Sequence, residues 1–298
     1  MKPVRPLDLT VRQLEYVVAV ADAGTFGAAA DACAVSQPSL STQVARVEEL
    51  LGVVLFERSR PVRPTPEGLR LLTQARVVLR EARTLEDLGR ELADPEGGEL
   101  RVGMIPTFAP YLLPRLHPAL RAELPGLRLH WHEAKTTDLE RLLLEGDLDL
   151  ALLADRPAPE ALAHRVVGHE SFVGLFPGPG PATETSLAAM SSWDLLLLDD
   201  GHCLRDQTVA VCRAHALSPS SFTATSLTTL VQMVATGLGA TLLPQCAVLA
   251  ETARADVHAR PLVEEAGREF VLVWRRTFPR EPLVSRVADA VTVALASA

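Results

Sequence analysis

The stretch Thr25-Phe-Gly-Ala-Ala-Ala-Asp-Ala-Cys-Ala-Val-Ser-Gln-Pro-Ser-Leu-Ser-Thr42 decides how the first domain is read. Phe26, Ala29, Ala30 and Cys33 fall at i, i+3, i+4 and i+7, so a helix puts all four on one face and Cys33 becomes a small core residue. Ala34-Val35 makes a tight turn. Ser36 is a good N-cap, and Pro38 is tolerated just inside a helix because first-turn amides have no intrahelical partner. Leu40, Val44, Val47 and Leu51 form the apolar stripe of a second helix, whose opposite face presents Gln37, Pro38, Ser41 and Thr42. Two short helices joined by a tight turn, the second offering small polar groups at its N-terminus, describe a helix-turn-helix. Gln can bond an adenine edge in two places, and Ser and Thr hydroxyls can meet bases or phosphates, so the expected partner is double-stranded DNA.

Outward from this motif, Leu55-Phe-Glu-Arg-Ser-Arg-Pro-Val-Arg-Pro-Thr65 carries Arg58, Arg60 and Arg63 into a wing beside it, a local basic footprint suited to phosphates. The overall charge conceals it. The 298 residues hold 29 Lys+Arg against 37 Asp+Glu, net −8, which excludes a protein that coats nucleic acid with its whole surface. Residues 1–94 hold 12 basic against 13 acidic side chains, so the acidity lies mainly downstream.

From Pro66 to Asp94 the chain reads as one amphipathic helix, roughly 43 Å long at 1.5 Å per residue. Leu71, Val78, Leu85 and Leu92 recur every seventh residue, with Ala75 and Ala82 four places on, a stripe suited to dimerisation. Asp94-Pro-Glu-Gly-Gly98 stops the helix and forms a linker. Beyond it, apolar runs alternate with helical ones, the pattern of parallel strands and crossover helices in two α/β lobes. Strands are predicted at 100–105, 127–132, 148–153, 166–176, 195–198, 222–225, 240–243, 257–262 and 270–274. Helices are predicted at 109–123, 137–145, 204–214, 227–236 and 283–296. The expected division is residues 1–65, 66–98 and 99–298, the last splitting into one lobe of 99–166 with 268–298 and another of 167–267.

Four cysteines in this length make no disulfide scaffold, and no basic, apolar signal segment opens the chain, so a reducing cytoplasm is expected. The longest uncharged stretch, Ala214 to Ala250, is broken by Pro219, Gly237, Gly239 and Pro244 and is no membrane span. The histidines and cysteines lack ligand spacing and no phosphate-cradling loop is present, so neither metal nor cofactor is expected. Cys246 has no motif around it and reads as packing.

The remaining chemistry lies in Asp199-Asp-Gly-His-Cys-Leu-Arg-Asp-Gln-Thr-Val-Ala-Val-Cys212. Gly201 can turn the chain out of the preceding strand, placing Cys203 at a helix N-terminus. That terminus, a protonated His202 and Arg205 would all favour thiolate; Asp199, Asp200 and Asp206 oppose it. On one continuous helix Cys203 and Cys212 are about 900° and roughly 13 Å apart. On spacing alone the pair is a weak signal, and two ordinary cytosolic thiols is the simpler reading.

The first domain resembles the winged helix-turn-helix of the LysR-type transcriptional regulators. The resemblance rests on Leu14-Glu-Tyr-Val-Val-Ala-Val20, Gly24-Thr-Phe26, Ala28-Ala-Ala30, Val35-Ser-Gln-Pro-Ser-Leu-Ser41, Glu48-Glu-Leu-Leu-Gly52, Leu55-Phe-Glu-Arg58 and Thr65-Pro-Glu-Gly68. It extends downstream to the peroxide-sensing branch of that family through Gly201-His-Cys-Leu-Arg-Asp-Gln207 with Cys212, Phe222, Ala224-Thr-Ser-Leu227, Thr241-Leu-Leu-Pro244, Ile105-Pro-Thr107 and His132-Glu-Ala-Lys-Thr136. It departs at Gly27, where a basic or polar residue is usual, and at Ser221, where a histidine is common.

The resemblance implies a linker helix for dimers, a two-lobed effector domain like periplasmic binding proteins, commonly a tetramer, and RNA polymerase as a partner. It also implies that hydrogen peroxide oxidises Cys203, that Cys212 resolves the product to a disulfide, and that Thr107, Thr136 and His202 form a peroxide pocket, with Arg205 and Asp206 supporting the reduced helix. A regulator that binds an organic effector between its lobes, with incidental thiols, is the nearest alternative. A thiol peroxidase is a third, and the helix-turn-helix argues against an enzyme.

Overall fold

In this computed structural model the described residues are 8–57, 61–93, 97–178, 180, 183–215 and 219–296. The chain divides between Gly89 and Arg90 into two units.

The first unit holds α1 (Val11–Ala23), α2 (Phe26–Ala32), α3 (Gln37–Leu51) and most of α4 (Pro66–Ala93). Each early helix starts on a hydroxyl: Thr10 accepts from Gln13 N, Thr25 from Ala28 N, and Ser36 from Ser39 N. Val17, Val20, Ala29, Ala30, Leu40, Val44, Val47 and Leu72 close the core, with Phe26 and Cys33 packed at its edge. The stripe of α3 is shorter than its sequence suggests: Leu51, at the last turn, is 37% exposed. Phe56 bridges Pro64 in antiparallel fashion, and Glu57 N donates to Arg63 O, so Phe56–Glu57 and Arg63–Pro64 pair as the two arms expected of a wing. Its base explains Gly68. A Cβ there would stand 2.2 Å from the Leu55 carbonyl oxygen, so only glycine lets α4 start against the wing. Leu72, Ala75 and Leu79 are the buried face of α4, whereas Val78, Leu85 and Leu92 are exposed.

The second unit comprises β1 (Gly98–Met104), α5 (Ala109–Glu123), β2 (Leu127–Glu133), α6 (Thr136–Glu145), β3 (Leu150–Leu153), β4 (Leu162–Pro177), α7 (Leu187–Met190), β5 (Leu195–Leu198), α8 (Cys203–Ala214), β6 (Pro219–Ala224), α9 (Leu227–Ala235), β7 (Thr241–Pro244), α10 (Gln245–Thr252), β8 (Val257–Pro261), β9 (Gly267–Arg275) and α11 (Glu281–Ala296). Two separate cores identify two lobes. Lobe I gathers Leu100, Phe108, Leu116, Leu139, Leu150 and Val271; lobe II gathers Phe172, Leu196, Leu204, Val231 and Leu242. The expected parallel pairing holds for β1 with β2 and β3, and for β5 with β6. It fails for β4, which runs antiparallel to β9, β7 and β8. The reason is length. β4 starts at Leu162, pairs with β9 through the lobe I stretch, shifts register between Val166 and Gly168, and continues into lobe II, so one strand serves both cores. The residues that join the lobes are therefore strand, not loop.

Among the described residues no helix is long and apolar enough to cross a membrane, and no group of His, Cys, Asp and Glu is placed to hold a metal ion.

Candidate functional site

Gly201, at φ +86°, turns the chain from β5 into α8, a conformation that costs a side-chain-bearing residue. His202 is the N-cap and Cys203 the first residue of the helix. Both are buried. Cys203 packs into the lobe I core although α8 belongs to lobe II, while Cys212, at the other end of the same helix, packs into lobe II. Both thiols are free.

Burial pushes the Cys203 thiol above its ordinary value. Arg268 pulls it back, Asp155 adds to the rise, and Thr136 and the Leu204 amide at the helix start favour the charged sulfur. The cation acting on this sulfur thus comes from β9, which sequence reasoning missed. Arg205 is engaged elsewhere: its Nε lies 2.9 Å from Asp200 Oδ1 and its Nη1 donates to Leu198 O at 2.8 Å. Asp206 is exposed in the first turn of α8. His202 is no cation either. Burial and the charge of Lys135 hold its pKa below the ordinary value despite Asp199, whose Oδ1 is 3.0 Å from Nε2. Cys203 stands at the helix start as the sequence predicts, whereas Arg205 is turned to Asp200 and Leu198, and the surroundings of His202 disfavour its protonated form.

Arg268 is the centre of a buried polar cluster. Its side chain is fully covered and lies with its guanidinium carbon 4.2 Å from the Phe108 ring centroid. Nε pairs with Glu170 at 2.7 Å, Nη1 donates to Thr107 Oγ1 at 2.8 Å, and Nη2 to Thr107 O at 3.2 Å. Glu170 stands directly across the ladder from Arg268 and also accepts from Cys246 N at 2.8 Å. Cys246 Sγ lies 3.6 Å from Glu170 Oε1, and burial drives that thiol far up. Cys246 therefore sits in a polar setting, beyond the plain packing expected of it. The signal for Arg268 in the sequence is slight: a cation two residues ahead of the apolar run Phe270-Val-Leu-Val-Trp274, where a strand buries charge only with a partner.

Thr136 completes this side. Its Oγ1 is buried and, beyond the Cys203 sulfur it faces, has no hydrogen-bond partner among the described residues. Thr107, Lys135 and His202 line a cleft of ≈ 500 Å³ between the lobes with Tyr111, Asp138 and Thr228. Gln207 ties α8 to lobe I, donating to Ala154 O at 3.1 Å and Asp155 Oδ1 at 2.9 Å.

On the first unit Gln37, Pro38, Ser41 and Thr42 are all exposed, as is Arg63. Gln37 and Ser41 line a groove of ≈ 970 Å³ between α2, α3 and the wing. A Cβ on Gly27 would lie 3.6 Å from Gln37 Oε1, so the missing side chain there leaves Gln37 uncovered. Thr42 Oγ1 donates to Pro38 O. Arg58, Arg60 and the side chain of Ser221 lie outside the described residues.

Comparison with known proteins matches residues 11–69 to the bacterial regulatory helix-turn-helix proteins of the lysR family and residues 93–296 to the LysR substrate binding domain. A hydrogen peroxide-inducible genes activator of Haemophilus influenzae is 40% identical over 95% of this chain and 96% of its own length. The DNA-binding transcriptional dual regulator OxyR of Escherichia coli is 40% identical over 95% of each chain. Among solved structures, a full-length cysteine-to-aspartate OxyR variant from Pseudomonas aeruginosa aligns with a TM-score of 0.73 at 35% identity, covering 96% of this chain and 95% of that one. A hydrogen peroxide-bound cysteine-to-serine OxyR mutant from Corynebacterium glutamicum aligns at 0.66 with 34% identity, covering 99% and 94%.

Proposed function

The chain belongs to the LysR family of bacterial transcriptional regulators, and from that premise we propose that it senses hydrogen peroxide through Cys203 and converts the signal into altered DNA contacts. The observation that carries this reading is the setting of Cys203: a buried thiol at a helix N-terminus, under the charge of Arg268 and beside the buried hydroxyl of Thr136, which faces the sulfur and no other partner among the described residues. A buried hydroxyl that faces the sulfur and has bonding capacity to spare offers a place for one peroxide oxygen.

In the reaction the Cys203 sulfur attacks one peroxide oxygen, the O–O bond breaks, and the thiol proton ends on the departing oxygen, giving Cys203–SOH and water. Thr107, Thr136 and neutral His202 would hold peroxide and relay that proton. Cys212–SH then attacks the Cys203 sulfur, releasing a second water and leaving a disulfide. Each event consumes one peroxide and leaves a disulfide that stands until a reductant reopens it, so the protein acts as a switch for as long as the disulfide persists. Asp206 and Arg205 contribute through the reduced form of α8, Arg205 by fastening the turn before it.

In this reading residues 1–65 grip promoter DNA through Gln37, Pro38, Ser41 and Thr42, with Arg58, Arg60 and Arg63 on phosphates. Residues 66–98 join subunits along Val78, Leu85 and Leu92, residues 99–298 sense peroxide, and a tetramer engages RNA polymerase in the cytoplasm. The interlobe cleft favours one competitor, an organic effector bound between the lobes with idle thiols. Counting free thiols by mass spectrometry before and after one equivalent of peroxide separates them. Loss of Cys203 and Cys212 as a pair supports peroxide sensing; retention of both rejects it.

A further inference from the structure

Lys135 comes from lobe I, at the N-cap of α6, and its side chain crosses to lobe II. Its Nζ donates to Asp200 O at 2.7 Å and lies 3.5 Å from Asp199 Oδ1. The turn it grips is the one that delivers Cys203. Gly201 makes the approach feasible twice over: its φ of +86° forms the turn, and a Cβ there would come within 3.1 Å of Lys135 Cδ. The next residue along lobe I is Thr136, whose hydroxyl acts on the Cys203 sulfur. Two consecutive residues of lobe I thus hold the turn and face the thiol.

We infer that Lys135 is a positioning residue that clasps the Asp199–Gly201 turn to lobe I and so keeps Cys203 seated against Thr136 in the lobe I core of the dithiol protein. The inference rests on the peroxide-sensing reading. Cys203 and Cys212 leave α8 on opposite faces and enter different cores, so disulfide formation has to lift one end of the helix. Gln207 holds the helix itself to lobe I, while Lys135 holds the chain that enters it. Moving Cys203 out of lobe I carries Asp200 O away from Nζ. The clasp therefore stabilises the dithiol state alone, and its loss shifts the redox equilibrium toward the disulfide.

The test is the exchange of the full-length protein with dithiothreitol, in which the protein disulfide takes two electrons and two protons to give two thiols as dithiothreitol closes to its cyclic disulfide. The Cys203–Cys212 state is read by alkylation and mass spectrometry across a series of dithiothreitol ratios. Lys135→Met, which keeps the stem and removes charge and donors, should displace the midpoint toward the disulfide by about five- to tenfold, the weight of one partly exposed charge-assisted hydrogen bond. Lys135→Arg should return at least half of that displacement. A Lys135→Met midpoint within twofold of the parent overturns the inference, and so does a Lys135→Arg midpoint equal to that of Lys135→Met. Should Lys135→Met not fold, Lys135→Gln carries the same test. Absence of any Cys203–Cys212 disulfide in the parent protein would instead reject the sensing reading itself, so the two failures are distinguishable.

Discussion

Cys203 and Cys212 occupy the two ends of one continuous helix, α8, and their side chains are buried in different cores, that of lobe I and that of lobe II. Nine residues of α-helix separate their Cα atoms by roughly 13 Å, about twice the span a disulfide tolerates. Oxidation on the proposed route is therefore a packing event. Departure of Cys203 leaves the lobe I core short of a buried side chain, and the lobes are coupled because α8 is anchored in both. Replacing Cys203 by Ser should abolish the peroxide-dependent change in DNA footprint and leave DNA binding intact. Replacing Cys212 by Ser should let Cys203 reach sulfenic acid without closing a disulfide, which a sulfenate-selective label would detect. An unchanged peroxide response in Cys203→Ser rejects the mechanism.

Arg268 connects stability with reactivity. Removing it leaves Glu170 buried with the amide and thiol of Cys246 beside it and no cation among the described residues, strips Thr107 of two hydrogen bonds, and takes the cation from Cys203. Breaking one half of a buried ion pair costs about 3–5 kcal/mol. Arg268→Met should destabilise by that amount in urea unfolding and slow Cys203 oxidation. Adding Glu170→Gln to the same chain should recover much of the stability without restoring the rate, because it removes the stranded charge and not the missing cation.

The sequence exposed the parts of this arrangement that local rules dictate. The stripe of α3, the Ser36 cap, the Gly201 turn and the start of α8 follow from periodicity and capping, and the structure places each within a residue or so of its expected position. What sequence could not supply was partnership over distance. Arg268 meets Glu170 and Thr107 across 98 and 161 residues, and Lys135 meets Asp200 across 65. Periodicity says which face of a strand or helix is inward, but not what waits there. The antiparallel course of β4 was hidden for a related reason: a single strand passing through two cores looks locally like a strand of either.

Two groups of opposite sign set the acid and alkaline limits of stability. Folding lowers the pKa of His202, first through burial and then through Lys135. As pH falls below the ordinary value of 6.5, the unfolded chain binds a proton the folded chain refuses, so this stabilisation is present above 6.5 and lost on acidification. Folding raises the thiols of Cys203, Cys212 and Cys246 through burial. There the folded chain keeps protons the unfolded chain releases, so their stabilisation is present below the ordinary 9.0 and lost as pH climbs above it. Urea midpoints measured against pH should fall on both sides. His202→Gln should flatten the acid limb and leave the alkaline limb; an unaltered acid limb in that variant rules His202 out as its source.

The exposed stripe of α4 should report on assembly. Leu85 is 71% exposed and Leu92 76%, while Leu72, Ala75 and Leu79 on the same helix are already buried within the chain. A second copy of the helix is the occupant the heptad spacing suits. Leu85→Asp would place a charge in that seam. Sedimentation should show the dimer weakened by at least tenfold, with the thermal stability of the first unit little changed because Leu85 is not part of its core. A dimer of unaltered affinity would mean that subunits meet elsewhere.

Gln37 tests whether the first unit reads bases or only phosphates. It is exposed at the first turn of α3, and Gly27 leaves the space beside its amide open, so the side chain is free to present both its donor and its acceptor outward. A bidentate contact to an adenine edge contributes about 1–3 kcal/mol of discrimination, and a phosphate contact contributes none. Gln37→Ala should therefore weaken binding to the preferred site by about that amount and leave binding to random duplex nearly as it was, narrowing the ratio between them. Arg63→Ala is the matched control: it should weaken both duplexes alike and make the salt dependence shallower by about one counterion. If Gln37→Ala behaved as Arg63→Ala is expected to, α3 would be fixing the register of the protein on DNA, and sequence would have to be read from elsewhere on the same surface.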